Sequence, residues 1–217
     1  MEHNQQAYEQ AARVLPIRLR QEALSLLPAD RGRAEELRLR CGQPLTAVLP
    51  EGERTLGREP VMGRDLEQLL ELASRASVHT VLDQLRRGYL TVEGGHRVGL
   101  CGTAVLRGGE IFNLRNLSSA SVRVARQGLG AAEPVWDKLT GPDGYLESTL
   151  ILAPPGAGKT TLLRDLIRMA SDGVHMAPQR VGVADERGEI AALWNGRPQL
   201  AVGRRTDVLE EIGRAHV

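Results

Sequence analysis

The chain has 217 residues, a net charge of +1, 41% hydrophobic and 25% charged residues, a balance that excludes a disordered or strongly basic polypeptide. Residues 1–148 carry 19 Lys/Arg against 19 Asp/Glu and residues 149–217 carry 9 against 8, so no basic face for nucleic acid is expected in either part. With one Phe, three Tyr and two Trp, the core must rest on Leu, Val, Ile and Ala.

The N-terminus, MEHNQQAYEQ, lacks the basic and apolar regions of a signal peptide. No apolar run approaches the roughly 20 residues that span a bilayer. A cytoplasmic chain is expected, without direct membrane insertion, acting at any membrane complex through partners. Cys41 and Cys101 have no His or Cys at zinc-ligand spacing, and two buried reduced thiols are expected.

Residues 7–27 carry Leu15, Leu19, Ala23 and Leu26 at helical spacing, interrupted by Pro16 and closed by Pro28. In AEELRLRCGQPLTAVLPEGE, Leu37 and Leu39 alternate with charged neighbours, which predicts strands joined at Gly-Gln-Pro. A helical period returns through Leu66, Leu69, Leu70 and Ala73, and a second helix is expected around Val81, Leu82 and Leu85. Alternation then runs from Leu90 to Val124, through Val98, Leu100, Val105, Ile111 and Val122. Gly94-Gly95 and Gly108-Gly109 fall where hairpin turns need left-handed residues, so an antiparallel meander is predicted. A short helix and a Gly-Pro-Asp-Gly turn follow in QGLGAAEPVWDKLTGPDGYLES, read as a link into a second domain.

From residue 149 the pattern becomes strand, loop, helix, strand. TLILA reads as a buried-type strand, KTTLLRDLIRMAS as an amphipathic helix, and RVGVADERGEI as a second strand ending in acid. Between them lies Ala153-Pro154-Pro155-Gly156-Ala157-Gly158-Lys159-Thr160, the G-x-x-x-x-G-K-[ST] pattern with Ala in place of its first Gly. Gly156 and Gly158 allow the backbone to turn its N–H groups inward on phosphates, and the helix starting near Lys159 adds the positive end of its dipole. Lys159 is the candidate for the β- and γ-phosphates, and the Thr160 hydroxyl the candidate ligand for Mg²⁺. Pro155, Gly156, Ala157, Gly158, Lys159, Thr160 and Thr161 are the candidate ATP-binding residues. Lys138 and Lys159 are the only lysines of the chain, which makes a Lys inside a glycine-rich loop conspicuous.

VGVADERGE delivers carboxylates to the same sheet edge as the loop. In one reading Asp185 supports Mg²⁺ and Glu186 polarises the attacking water. In another, this strand is an extra one, and the Mg²⁺-supporting acid comes from a later strand. Order along the chain does not separate the two.

EELRLRCGQPL, GYLTVEGGHRVGLCG, APPGAGKTTLLRDLIRMAS, VGVADERGEIA and GRPQLAVGRRTDVL together resemble the stage III sporulation AA family over about residues 15–210. That family is similar to the hexameric ATPases of type II and type IV secretion and pilus systems. The resemblance implies a cytoplasmic mother-cell ATPase that energises a channel-like assembly at the forespore, working as a homo-oligomeric ring with membrane-associated sporulation proteins. Under it, DERGE corresponds to the acidic box of the secretion ATPases, and Glu186 orients water. Arg97, Arg204 and Arg205 are weak counterparts of the arginines that face a neighbour's γ-phosphate.

The last residues, EIGRAHV, do not resemble the family, and one permitted codon choice for them reproduces the start of a common sequencing adapter. Residues 211–217 are therefore expected to be a non-native tail on a C-terminally truncated chain. The fold class expected is α/β: an α+β N-terminal domain over 1–140, then a partial P-loop NTPase domain of the RecA/AAA type, with a parallel sheet, over 141–210. The function expected of the complete protein is ATP hydrolysis, with a P-loop phosphotransferase and a slowly hydrolysing nucleotide-dependent switch or scaffold as alternatives.

Overall fold

In the computed structural model, which describes residues 2–74 and 88–210, the chain forms two units, Met1–Arg126 and Gln127–Val217. The expected helix around Val81, Leu82 and Leu85 and the expected tail over 211–217 lie outside the described residues.

In the first unit, Pro16 separates α1 (Glu2–Ala12) from α2 (Ile17–Leu24), and Pro28 opens the single turn α3 (Pro28–Arg31). Proline cannot donate the hydrogen bond that would continue a helix, so both breaks fall where the sequence places them. Then follow β1 (Glu36–Arg40), β2 (Pro44–Leu49), β3 (Gly52–Pro60), α4 (Gly63–Ala73), β4 (Tyr89–Thr91), β5 (Arg97–Arg107) and β6 (Glu110–Arg123). At the start of α4, the Asp65 carboxylate accepts the Met62 N–H at 2.8 Å and an Arg18 hydrogen bond at 2.7 Å.

The six strands form one antiparallel sheet in the order β3-β2-β1-β6-β5-β4. The hairpin turns expected at the two Gly-Gly pairs are present, with all four glycines at positive φ. The chain is not a simple meander, however. β6 is one long strand that pairs with β5 on one side and returns to β1 on the other. Leu37, Leu39, Leu45, Ala47, Val98, Ala120 and Val122 share the buried face, and Tyr8, Leu19, Leu66 and Leu69 of the helices, with Leu15 between α1 and α2, cover it. The opposite face carries Arg38, Arg40, Ser119, Ser121 and Arg123.

The two cysteines are exposed, contrary to the expectation of buried thiols. Strand alternation explains Cys101, which follows the buried Leu100 and so points away from the helices. Cys41 stands just beyond the end of β1.

The second unit is built on a smaller apolar cluster. It comprises Ala132, Trp136, Leu166, Met169 and Ala170, with Leu139, Leu146, Ile151, Leu162, Met176 and Val181 against it. The one-turn helix α5 (Trp136–Leu139) leads to the expected turn at Gly141–Gly144 and on to α6 (Lys159–Asp172). Here β7 (Val181–Ala184) pairs in parallel with β10 (Thr206–Leu209), and β8 (Leu193–Trp194) with β9 (Arg197–Pro198) forms a short antiparallel hairpin.

Residues 149–153 do not form the expected strand: they make no ladder among the described residues, and Leu150 and Leu152 are 80% and 81% exposed. A parallel strand is stable only with hydrogen-bonded neighbours and cover on both faces; among the described residues no strand pairs with this segment, and only its Ile151 side packs on the apolar cluster. The result is a mixed α/β chain dominated by an antiparallel sheet, with a two-stranded parallel pair in the second unit.

Candidate nucleotide-binding site

The segment Pro154–Gly158 turns through two left-handed glycines, Gly156 at φ 76° and Gly158 at φ 85°, which L-residues with a Cβ adopt only under strain. No atom lies within 4 Å of where a Cβ would stand at either glycine, so the loop surface is open on that side. Gly158 is the N-cap of α6 and offers no side-chain cap; the first turn of the helix contains no acidic residue. Its amides are therefore uncommitted to any side chain, and the helix dipole presents its positive end there. Lys159 closes the loop on itself, its Nζ donating to the Ala153 and Pro154 carbonyls at 2.8 Å each.

This arrangement fits a nucleotide phosphate chain. A chain of phosphates accepts hydrogen bonds from free amides at a helix start, and Lys159 needs only to exchange two carbonyls for phosphate oxygens. Pro155, Gly156 and Ala157 lie exposed in the loop, while Lys159, Thr160 and Thr161 form the first turn of α6. Thr161 is turned elsewhere: a methyl group added at Gly128 would stand 2.3 Å from its Cγ2, so this side chain packs on the 127–132 segment.

The two acids behind β7 behave differently. Asp185 is 3% exposed, and its carboxylate accepts three main-chain N–H groups, from Glu189 at 2.8 Å and from Ile190 and Ala191 at 2.9 Å. That carboxylate organises its own loop. Glu186, next in the chain, is exposed.

Two charged residues that sequence reasoning passed over are buried in the middle of α6. Arg164 donates from Nε to the Ile190 carbonyl and from Nη2 to the Glu189 carbonyl, both at 2.6 Å. Burial disfavours its charge, and the Asp185 and Glu189 carboxylates oppose that effect. Asp165 receives the Ala132 N–H at 2.9 Å and the Arg168 guanidinium at 2.8 Å. The signal was present in the sequence: a charged pair, Arg-Asp, interrupts the apolar run of LLRDLI.

The three arginines read as counterparts of those that face a neighbour's γ-phosphate make the following contacts within the chain. Arg97 lies in the first unit with its guanidinium 4.5 Å from the centre of the Tyr89 ring. The main chain of Arg204 donates to Asp172 at 2.9 Å and that of Arg205 to the Ser171 hydroxyl at 2.8 Å, which fixes the backbone beside the end of α6. Among the described residues there is no cluster of three or more His, Cys, Asp and Glu side chains, and no helix long and apolar enough to cross a membrane.

The profile of the family described as "Sporulation stage III, protein AA" matches residues 5–216. The chain is 39% identical over 206 residues to stage III sporulation protein AA of Bacillus subtilis (strain 168), covering 94% of this chain and 66% of that protein. It is 28% identical over 169 residues to the protein SEEDLING PLASTID DEVELOPMENT 1 of Arabidopsis thaliana, covering 78% of this chain and 21% of that one. Among solved structures, the Legionella pneumophila ATPase DotB aligns over 82% of this chain and 47% of its own, at 12% identity and a TM-score of 0.44.

Proposed function

Because the chain belongs to the sporulation stage III, protein AA family, we propose that it supplies the ATP-binding module of a sporulation ATPase. The observation that carries this reading is the open glycine loop running into the uncapped start of α6, with Lys159 and Thr160 in its first turn. Loop amides and Lys159 would bind the phosphates, and the Thr160 hydroxyl would help to hold Mg²⁺, which when bound would supply charge neutralisation for phosphoryl transfer. Pro155, Gly156 and Ala157 shape the wall of the cradle. Thr161 supports it from behind.

Of the two acids, Glu186 is the one free to orient a water molecule. Asp185 acts indirectly, by holding the loop that carries Glu186. This assignment follows from the three amides that already occupy the Asp185 oxygens. The nucleotide module has its core over residues 141–210 and draws on the preceding segment from Gln127, whose Ala132 and Trp136 pack with α6; the N-terminal α+β domain is the part before that. The complete protein works as a homo-oligomeric ring that uses ATP hydrolysis to energise a channel-type assembly between mother cell and forespore, bound to membrane-associated sporulation proteins.

The test is titration of the chain with a fluorescent ATP analogue in the presence of Mg²⁺. Wild type should bind saturably, and Lys159→Ala should lose about tenfold or more in affinity, the scale of one lost charge-assisted contact. Equal affinities would sink the phosphate-loop assignment. Single-turnover hydrolysis then separates an ATPase from a switch that only binds.

A further inference from the structure

Thr160 and Arg164 are four residues apart on α6, so they share one face of the helix. Thr160 ends that face at the phosphate loop. Arg164 continues it and carries two hydrogen bonds to the Glu189 and Ile190 carbonyls. The amides of the same two residues are held by Asp185 at the end of β7. The peptide chain at 189–190 is thus gripped from both sides, its carbonyls by α6 and its N–H groups by the strand end.

Glu186 lies between these fixed points. The turn that carries it is closed by the Gly188 N–H donating to the Asp185 carbonyl at 3.0 Å, with Gly188 at φ 59°. Only Glu186 and Arg187 separate Asp185 from Gly188, so the turn has little slack. Any shift of the first turns of α6 must displace 189–190 through Arg164, and with them the turn bearing Glu186.

We propose that Arg164 is a positioning residue, which carries nucleotide and Mg²⁺ occupancy at Lys159 and Thr160 to the carboxylate of Glu186. The proposal rests on the phosphate-loop reading above. The chemistry suits arginine in particular, because a planar guanidinium reaches two successive carbonyls at once, whereas a lysine ammonium is a point charge on a flexible stem. An apolar side chain would pack this helix face at a lower desolvation cost but would leave two carbonyls without their donors.

Hydrogen–deuterium exchange, resolved on peptides covering 159–172 and 185–192, tests this in the full chain with mant-ATP and Mg²⁺ as the ligand. In wild type, saturating nucleotide should slow exchange at the amides of Glu186–Ala191 by about tenfold, as expected when a site and a loop share one cooperative unit. In Arg164→Lys, mant-ATP affinity should stay within a factor of about three, while that slowing falls below about twofold. Arg164→Gln, which keeps one amide donor group without charge, should behave as Arg164→Lys does. In both variants the α6 peptides should keep wild-type protection, which shows that the helix itself still folds.

Nucleotide-dependent slowing that survives undiminished in either variant overturns the proposal, as does binding by wild type with no slowing at 186–191. Loss of α6 protection in both variants also overturns it, by making Arg164 a simple folding residue. Failure of the wild-type chain to bind mant-ATP is a different result: it removes the phosphate-loop reading, and this inference falls with it.

Discussion

His96 gives a quantitative test of the first unit. The ring is 1% exposed, and its Nδ1 accepts the Ala125 N–H at 3.0 Å, just before the unit ends at Arg126. Accepting at Nδ1 places the proton of the neutral ring on Nε2, which is buried and has no hydrogen-bond partner among the described residues. Burial pushes the imidazole pKa down from 6.5 to about 4. Protonation in the fold would require a buried cation and would turn the Ala125 acceptor into a second donor.

The sign follows from proton binding. Between pH 6.5 and 4 the unfolded chain takes up a proton at this histidine and the folded chain does not, so stability falls as pH drops through that window and levels off below it. At 1.36 kcal/mol per pH unit the loss attributable to His96 is roughly 3 kcal/mol. His96→Asn keeps a side-chain acceptor near the Nδ1 position and cannot titrate. Urea unfolding at pH 4, 5, 6 and 7, read by pulsed deuterium labelling of peptides from β1 and β6, compares the two proteins. The variant should start less stable at pH 7, having lost ring packing, but should lose about 3 kcal/mol less than wild type on acidification. Parallel pH dependences in the two proteins would refute the reasoning, because the buried neutral ring would then contribute nothing to proton linkage.

Other consequences are simpler to check. Trp136 and Trp194 both lie in the second unit, so tryptophan fluorescence follows that unit alone. By this readout Asp185→Asn should cost about 2–3 kcal/mol, since an amide side chain has one acceptor oxygen for three N–H groups. Gly128→Ala should cost about 1–3 kcal/mol, because the new methyl meets the Thr161 side chain; an unchanged melt would mean that the 127–132 segment can move aside. Tyr8→Phe removes the hydroxyl that donates to the Ala23 carbonyl at 2.9 Å and should cost about 1 kcal/mol, read in the β1 and β6 peptides. Cys41 and Cys101 should both react with a thiol reagent in the native state, at rates close to those of the urea-unfolded chain.

The elements legible in the sequence were those with a local cause. Pro16 and Pro28 ended helices by removing donors, Gly-Gly pairs supplied left-handed turns, and alternation exposed β1, β2, β5 and the end of β6. β3 escaped notice because GERTLGREP has no apolar alternation. It is an edge strand whose residues are mostly exposed, so no core face constrained its composition. The return of β6 to β1 was equally hidden, since non-local pairing leaves no periodicity. In the candidate site, the left-handed turn at Gly156 and Gly158 and the helix start at Lys159 were readable, because glycines in a short loop followed by a helical period are local signals. The commitment of Asp185 was not, because it depends on where three amides of the following loop arrive.

The failure of 149–153 to form a strand is explained on similar grounds. Its sequence is that of a strand buried on both faces, and such a strand derives its order from neighbours rather than from its own residues. Around it, Leu150, Leu152 and Leu163 are exposed, and a groove of about 370 Å³ lies between α6 and residues 139–151, lined by Leu146, Ile151, Leu166 and Ile167. The loop at 154–158 is fixed in another way. Its turn is set by two glycines and by the start of α6, and α6 is held independently by Arg164 toward 189–190 and by Asp165 toward Ala132. The proposed phosphate loop therefore takes its geometry from the helix behind it, and a charged pair in the middle of an apolar helix is what keeps that helix in place.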